Sequence, residues 1–272
     1  MDLLPLSFLY LDLGRNSSLR KKIFAAEQLS SSAALNPNIL FSIYRTSVPS
    51  ASGGIWKRMR HVHELDSFFQ SEVVDEALFF KMLSKALKDF NDINLLTHFS
   101  KEYGKRFLER QQIFYNSQLN EIVLSILLLS KELPNHWYAV KTNKLLLNVA
   151  MDIKTNKLFK KASTTNKMKS NDNFSDSPDY SNNNEIIFAI TNGLLGIPPR
   201  NRNSTFEIQN YINSNRKGAA LLKSLNLLSE GLNADFLDLE AGLAGLVMLG
   251  FNEQANEIAI ELLVKTFIKE LG

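Results

Sequence analysis

The chain has 272 residues, of which 44% are hydrophobic and 22% charged, and its formal net charge is only +3. That length and apolar content suffice for the core of one large domain or an extended array, which excludes a natively unfolded protein. Cysteine is absent, which excludes disulfides, thiolate metal sites and cysteine nucleophiles.

The first ninety residues predict a succession of helices separated by turns. Asn16, Ser17 and Ser18 each offer a side-chain oxygen that can cap a helix over 18–29. Asn36-Pro37-Asn38 is a turn signal, and the loop at 48–54 contains Pro, Ser and two Gly. Helices are predicted, in order, at 18–29, from Ile39, at 55–69 and at 75–90. The last of these has apolar positions at a period of 3.6 residues and acidic Asp75 and Glu76 in its first turn.

The middle of the chain continues the same pattern up to residue 162. Further helices are predicted at about 94–103, 105–115 and 119–133, where Pro134 ends the series. The stretches 136–150 and 153–162 then predict a second helical hairpin. Residues 163–184 are almost wholly Ser, Thr, Asn, Asp and Lys, a composition that buries too little apolar area to offset the entropy of ordering. We therefore predict an N-terminal helical array (1–162), a disordered insertion (163–184) and C-terminal hairpins (185–272) that pack on the first part.

The last forty residues give the strongest structural signal. Two amphipathic helices flank Gly250, a residue suited to the positive φ that ends a helix. Small residues such as Gly242 and Gly245 leave room for a close neighbour, which we expect to be the predicted helix 217–228. The acidic side chains of the hairpin, Asp235, Asp238 and Glu240 among them, are expected on a solvated outer face. Since the chain shows no period-2 alternation, the predicted fold is all-α, a stack of antiparallel helical hairpins without a sheet, either α-solenoid-like or irregular.

Three short stretches carry a resemblance to a family. They are Leu246–Ala259 (LVMLGFNEQANEIA), Trp137-Tyr138 before an apolar-rich stretch, and Leu40–Tyr44 ahead of Val48-Pro49. Together they resemble uncharacterised, helical-repeat-like proteins of alphaproteobacteria. The resemblance implies a bacterial helical-repeat fold, and it implies no established activity.

The most tempting chemical cluster lies on the predicted helix 55–69. Lys57, Arg58 and Arg60 next to Trp56 are typical of a solvated basic helix face, and the alternative is that they contact phosphates as an anion-binding surface. His61 and His63 point about 200° apart on a helix, so they cannot share a metal ion there. The pair His98 and Glu102 shares a helix face but has no third ligand. We predict neither a metal nor another cofactor.

A second basic group follows the middle hairpin. Lys157, Lys160 and Lys161, with Lys154 at its edge, fall on one helical face without an acid among them. This pattern favours a solubilising role at the edge of the disordered insertion, and the alternative is attraction of an acidic partner or an anionic surface. The net charge alternates along the chain, at +5 for 1–63, −2 for 64–153, +5 for 154–217 and −5 for 218–272. Such alternation is compatible with a charged docking surface, and its basic excess is below that of a dedicated nucleic-acid binder.

No catalytic motif supports an enzyme. Ser18 to Lys21 matches S-x-x-K, yet the companion motifs of that hydrolase class are absent, as are G-x-S-x-G, the P-loop and G-x-G-x-x-G. The glycine pairs Gly193/Gly196 and Gly242/Gly245 indicate close packing or helix ends. We predict a non-enzymatic interaction or scaffold protein with a protein partner. The alternatives are a binder of nucleic acid or anionic surfaces and a helical accessory remnant of a larger protein.

Asp2 and Asp12 disfavour an export signal, and no apolar run approaches the roughly 18 residues of a membrane span, so a cytoplasmic location is expected.

Overall fold

The computed structural model describes residues 6–14, 16–71, 75–110, 114–133, 137, 142, 144–155, 157, 182–199 and 202–271. Those ranges contain thirteen α-helices, a short 3-10 helix at Gly231–Asn233 and no strand, which confirms the predicted all-α array. The helices are α1 (Leu6–Asp12), α2 (Leu19–Ser31), α3 (Pro37–Thr46), α4 (Ile55–Gln70), α5 (Glu76–Asn91), α6 (Leu96–Arg110), α7 (Ser117–Ser130), α8 (Leu145–Lys154), α9 (Asn182–Leu194), α10 (Asn203–Asn213), α11 (Lys217–Leu228), α12 (Phe236–Met248) and α13 (Asn252–Glu270).

The chain divides into two compact units, Met1–Val140 and Lys141–Glu270. Helices α1–α7 belong to the first unit, in which successive helices pack on one another. Helices α8–α13 belong to the second. The sequence grouped α8 with the array 1–162, but α8 buries Leu146, Leu147, Ala150 and Ile153 and packs on α13.

An aromatic core holds the first unit together. Phe41, Phe90, Phe99 and Tyr103 are fully buried and come from α3, α5 and α6. Ring centroids lie 5.9 Å apart for Phe41 and Phe90, 4.8 Å for Phe90 and Phe99, and 4.7 Å for Phe99 and Tyr103. Aromatic pairs at such separations add about 0.5–1.5 kcal/mol each beyond the burial of apolar area.

Short polar side chains begin several helices of this unit. The Ser18 hydroxyl accepts a hydrogen bond from the backbone N–H of Lys21 at 3.4 Å, so this S-x-x-K pattern is a helix cap. Asp75 accepts from the backbone N–H groups of Ala77 and Leu78, both at 3.0 Å. A cap of this kind satisfies N–H groups that lack an intrahelical partner and stabilises by about 1 kcal/mol. The predicted cap at Ser18 is confirmed.

The second unit is built around α12, which packs on α9, α10, α11 and α13. A Cβ added to Gly242 would lie 2.7 Å from Cγ of Leu228, and one added to Gly193 would lie 2.7 Å from Cβ of Leu243. Both distances are too short for real atoms, so these glycines allow the helices to touch. The predicted close packing, the contact of the terminal hairpin with 217–228 and the positive φ of Gly250, at 88°, are therefore confirmed.

Two predicted helix boundaries in the middle of the chain are wrong. Helix α6 runs unbroken through residue 104, where the sequence predicted the end of one helix and the start of another. Gly104 is there because a Cβ would collide with the Ser130 side chain of α7 at 2.6 Å. Helix α8 likewise continues through Met151 and Asp152, the expected connection of a hairpin. Most of the second arm of that hairpin and residues 163–181 of the predicted insertion lie outside the described residues, and α9 already begins at Asn182.

Candidate functional site

The basic residues predicted on α4 all have partners inside the first unit. Lys57 Nζ lies 2.8 Å from Asp89 Oδ1, and Arg60 donates to the backbone carbonyl of Ser52. Arg58 binds the Glu27 carboxylate through two hydrogen bonds, Nε to Oε1 at 2.9 Å and its terminal nitrogen to Oε2 at 2.6 Å. Carboxylates neutralise Lys57 and Arg58, whereas the backbone partner of Arg60 leaves its charge in place, so the cluster is weaker as an anion-binding surface than its sequence indicates.

The pair of Glu27 and Arg58 is part of a buried polar network. The Tyr44 hydroxyl donates to Glu27 Oε1 at 2.5 Å, and Glu27 is only 3% exposed. Burial and the neighbouring carboxylate raise the pKa of Tyr44 well above its usual value. Burial alone lowers the pKa of Arg58, but the hydrogen bonds and charge of Glu27 together with Tyr44 outweigh it, so the pKa is raised and the guanidinium stays charged. The network anchors α2, α3 and α4 to one another.

The two histidines of α4 lie apart, each with its own partner. His61 Nε2 is 2.6 Å from Asp89 Oδ2, and His63 Nε2 is 3.0 Å from the Ser47 carbonyl oxygen. Glu102, which shares a helix face with His98, binds Arg45 at 2.6 Å. Within the described ranges, no group of three or more His, Asp or Glu side chains is arranged to hold a metal ion.

The lysine group is only partly described. Lys154 is half-buried in the last turn of α8, and Lys157 is exposed. Lys160 and Lys161 lie outside the described residues. The described part of the group therefore supplies one exposed cation.

The first unit contains a cleft of about 770 Å³ between the N-terminal ends of α2 and α4. Its walls include exposed Arg20 and Lys21, the half-exposed rings of Phe24 and Trp56, and Arg58. Gly54, at φ +57°, precedes α4 without a side-chain cap. Arg20 and Lys21, which were not predicted to bind anions, thus lie in the same cleft as the paired Arg58 and Glu27.

The second unit contains a smaller groove, of about 380 Å³, between α9 and α12. The floor and walls are apolar at Phe188, Ala189, Phe236 and Leu237. Phe188 is 61% exposed and Leu237 is 42% exposed, although both belong to helices with well-buried opposite faces. The remaining lining residues are Asn184, Glu185, Asp235 and Glu240. We call this site the α9–α12 groove.

Close packing beside the groove fixes its shape. Gly193 of α9 lies against Leu243 and the backbone carbonyl of Glu240, the latter 3.0 Å from the position of an added Cβ. One turn further along, Gly196 faces Val247. The groove lies on the N-terminal side of this contact. Phe188 and Leu237 line it there, instead of a glycine that would let the helices touch.

The acidic residues of the groove differ in their surroundings. Asp235 caps α12 by accepting from the Leu237 N–H, and it pairs with Arg202 at 2.5 Å. The hydrogen bond from Leu237 lowers the pKa of Asp235 most, and the hydrogen bond from Arg202 lowers it further. Glu240 is only 4% exposed, so its predicted place on a solvated outer face is wrong. Burial raises the pKa of Glu240, and a long hydrogen bond from Asn192 Nδ2, at 3.4 Å, opposes that shift only in part.

The sequence contained one usable signal for this groove. Glu185, Phe188, Ala189 and Asn192 follow the spacing i, i+3, i+4 and i+7, which places them along one face of α9. That spacing does not distinguish a stripe that packs in the core from one that remains open. The exposure of Phe188, at 61%, is visible only in the folded structure.

In the ranges that the structure describes, no helix combines the length and apolarity needed to cross a membrane. A scan against protein-family models and searches of curated proteins and of solved structures return no match for this chain.

Proposed function

We propose that this protein is a non-enzymatic interaction module whose second unit binds a segment of a partner protein in the α9–α12 groove. The observation that carries the proposal is the exposure of Phe188 and Leu237 at the walls of a concave, apolar site. Apolar grooves between helices are a common docking site for amphipathic helices of partner proteins. The absence of catalytic motifs from the sequence supports a binding role over an enzymatic one.

The expected affinity is modest. Full burial of a large apolar side chain stabilises by about 1.5–3 kcal/mol, and both Phe188 and Leu237 are already partly buried. Each therefore contributes roughly 1 kcal/mol on docking, before the cost of immobilising the partner. Together they supply only a small part of the roughly 8 kcal/mol that a micromolar complex requires, so the groove fits a weak, reversible contact better than a permanent complex.

The test is quantitative co-purification with matched variants. Phe188→Ser removes an aromatic wall of the groove, and Phe206→Ser removes a similarly exposed ring of the same unit, 52% exposed on α10 and outside the groove lining. We expect the wild type and Phe206→Ser to retain the same protein from lysate of the cells that express the chain, and Phe188→Ser to lose it. If Phe188→Ser retains as much as Phe206→Ser, the groove is not the docking site.

The cleft of the first unit favours a second candidate function, the binding of an anionic ligand. Arg20 and Lys21 have no ion pair in the described part of the chain, and the rings of Phe24 and Trp56 lie beside them. Cations next to aromatic rings suit single-stranded nucleic acid, whose bases stack while its phosphates are neutralised.

This second candidate predicts a salt-dependent affinity for a labelled oligothymidylate. Because each phosphate contact releases a counterion, log K falls with log salt, and Lys21→Gln reduces the slope by about 0.7 for a single strand. Lys269→Gln, an exposed lysine near the end of α13, serves as the control. Fluorescence anisotropy with an unchanged slope for Lys21→Gln would remove this candidate.

A further inference from the structure

Glu240 has a burial that its neighbours do not explain. Both Glu27 and Glu240 are almost completely buried, at 3% and 4% exposure. Glu27 accepts hydrogen bonds from Arg58 and Tyr44 at 2.5 to 2.9 Å. Glu240 accepts one long hydrogen bond from the neutral amide of Asn192, and among the described residues no cation lies within ion-pair distance of it. In the described part of the chain, one buried carboxylate is thus fully compensated and the other has no cation beside it.

Such an arrangement is costly for a free protein. A carboxylate removed from water loses its hydration, and an ion pair with several hydrogen bonds is the usual compensation. A leucine or glutamine at this position would avoid the cost. Because Glu240 lines an open groove, a cationic side chain of another molecule can reach its carboxylate.

We infer that the α9–α12 groove binds a cationic amphipathic helix, one of whose Lys or Arg side chains pairs with Glu240. This inference rests on the proposed docking function and specifies its partner. The apolar face of the helix would lie on Phe188 and Leu237, as the groove walls require. The cation would extend from the edge of that face to the carboxylate.

The charge of the groove supports a cationic occupant. Among the described residues, its lining contains three acids and no base. Asp235 is neutralised by Arg202, which leaves exposed Glu185 and buried Glu240. The stretch 218–272, which supplies α12 and α13, has a net charge of −5. Like charges disfavour an acidic partner and, equally, a second copy of this acidic surface.

The two carboxylates predict different responses to salt. Glu185 is exposed, so its attraction for the partner is screened at high ionic strength. Glu240 is buried, so its pairing with a desolvated cation persists. The pair at Glu240 therefore gives specificity, whereas Glu185 mainly accelerates association.

The test uses the full chain and a display library of random peptides of about 16 residues, enough for about four helical turns. Peptides are selected on the wild type and counter-selected on Phe188→Ser. Their affinities are then measured by fluorescence anisotropy for the wild type, Glu240→Gln and Glu253→Gln. The last removes an exposed acid in the first turn of α13, outside the groove.

We expect the selected peptides to be rich in Lys and Arg and to bind Glu240→Gln about tenfold or more weakly than the wild type. Glu253→Gln should bind as the wild type does. The loss in Glu240→Gln should persist at about 0.5 M NaCl, where exposed pairs are screened. Replacing the critical peptide Lys or Arg by Gln should weaken wild-type binding by the same factor, with no further loss on Glu240→Gln. Because that arm changes only the peptide, it does not depend on the stability of the variant.

The contrary outcomes separate the two proposals. Selected peptides without an excess of Lys and Arg, or with equal affinity for Glu240→Gln, would overturn the cationic partner and leave docking in the groove intact. The absence of any peptide that requires Phe188 would overturn both. Self-association of the wild type that Phe188→Ser abolishes would show that a second copy covers the groove, which also contradicts the cationic partner.

Discussion

Residue scale

The ion pair of Arg58 and Glu27 shows how strongly the contribution of one contact to stability depends on burial. Removing one partner of a buried ion pair leaves the other charge uncompensated, a loss of about 3–5 kcal/mol. Glu27→Ala would leave Arg58, whose side chain is 14% exposed, without the two carboxylate oxygens that accept its hydrogen bonds. The Tyr44 hydroxyl would also lose its acceptor. We expect urea denaturation to show a loss of about 3 kcal/mol or more for Glu27→Ala.

The control for that variant is a more exposed pair. Lys265 and Glu261 lie 2.7 Å apart on α13, with side chains 23% and 38% exposed. Helix pairs of this kind contribute about 0.3–0.5 kcal/mol, so Lys265→Ala should change the free energy of unfolding by less than about 1 kcal/mol. Similar losses for the two variants would mean that the Glu27 network stabilises no more than a surface pair does.

Replacing Glu240 by glutamine should stabilise the folded protein by an amount that depends on pH. Burial raises the pKa of Glu240 above its usual 4.5. A group whose pKa is raised by folding stabilises the folded state while it is protonated, and that stability is lost as pH rises through the folded pKa. Glu240→Gln avoids the loss, so the variant should unfold at higher urea concentration than the wild type at pH 7.

The gain should shrink as the pH approaches 4, where the wild-type carboxyl is protonated as well. Glu253→Gln, at an exposed position, should show no such dependence. A wild type that equals or exceeds Glu240→Gln in stability at pH 7 would show that the groove already compensates the carboxylate.

Element scale

Three glycines inside helices of the second unit, Gly193, Gly242 and Gly245, are explained by the helices they touch. Glycine normally costs a helix about 1 kcal/mol relative to alanine. At Gly242 this cost is outweighed because a Cβ would meet Leu228 at 2.7 Å and the Ser224 carbonyl oxygen at 3.1 Å. The backbone carbonyl cannot move aside, so α11 and α12 would have to separate.

Substitution by alanine tests this interpretation. Gly242→Ala should lower the free energy of unfolding by about 1–3 kcal/mol, the cost of overpacking. Gly218→Ala, on α11 with open space around the added Cβ, should be neutral or stabilise by up to about 1 kcal/mol. Thermal or urea unfolding distinguishes them, and equal shifts for both variants would contradict the close packing of α11 and α12.

Whole-molecule scale

The lowered pKa values of one carboxylate in each unit indicate that the protein loses stability in acid. Partial burial raises the pKa of Asp89, but hydrogen bonds from Lys57 and His61 outweigh it, so the pKa lies below the usual 3.8. The pKa of Asp235 is lowered in the second unit. A lowered pKa stabilises the folded state above the unfolded value, and that stability is lost as pH falls through the folded value.

We therefore expect the midpoint of acid unfolding, followed by circular dichroism at 222 nm (a helix signal), to lie below about pH 4. Asp89→Asn should be less stable than the wild type at pH 7, and the difference should narrow in acid. A difference that stays constant from pH 7 to about pH 3 would mean that ionisation of Asp89 contributes nothing.

The sequence by itself determined the fold class and most helices of this protein. Period-3.6 apolar patterns and local signals such as Ser18, Asp75 and Gly250 act within a few residues, so they can be read without the fold. It misassigned Gly104 as part of a helix break, because local propensity cannot show that Ser130 lies against it.

Only the tertiary structure decided which surfaces stay open and which charges are compensated. The partners of Arg58 and Lys57 lie 31 and 32 residues away in the chain, so a basic patch in the sequence became a set of neutral pairs. The α9–α12 groove was likewise invisible, because the exposure of Phe188 and the burial of Glu240 depend on how far apart two helices are held. Burial and ion pairing are properties of long-range contacts, and a local pattern of residues does not contain them.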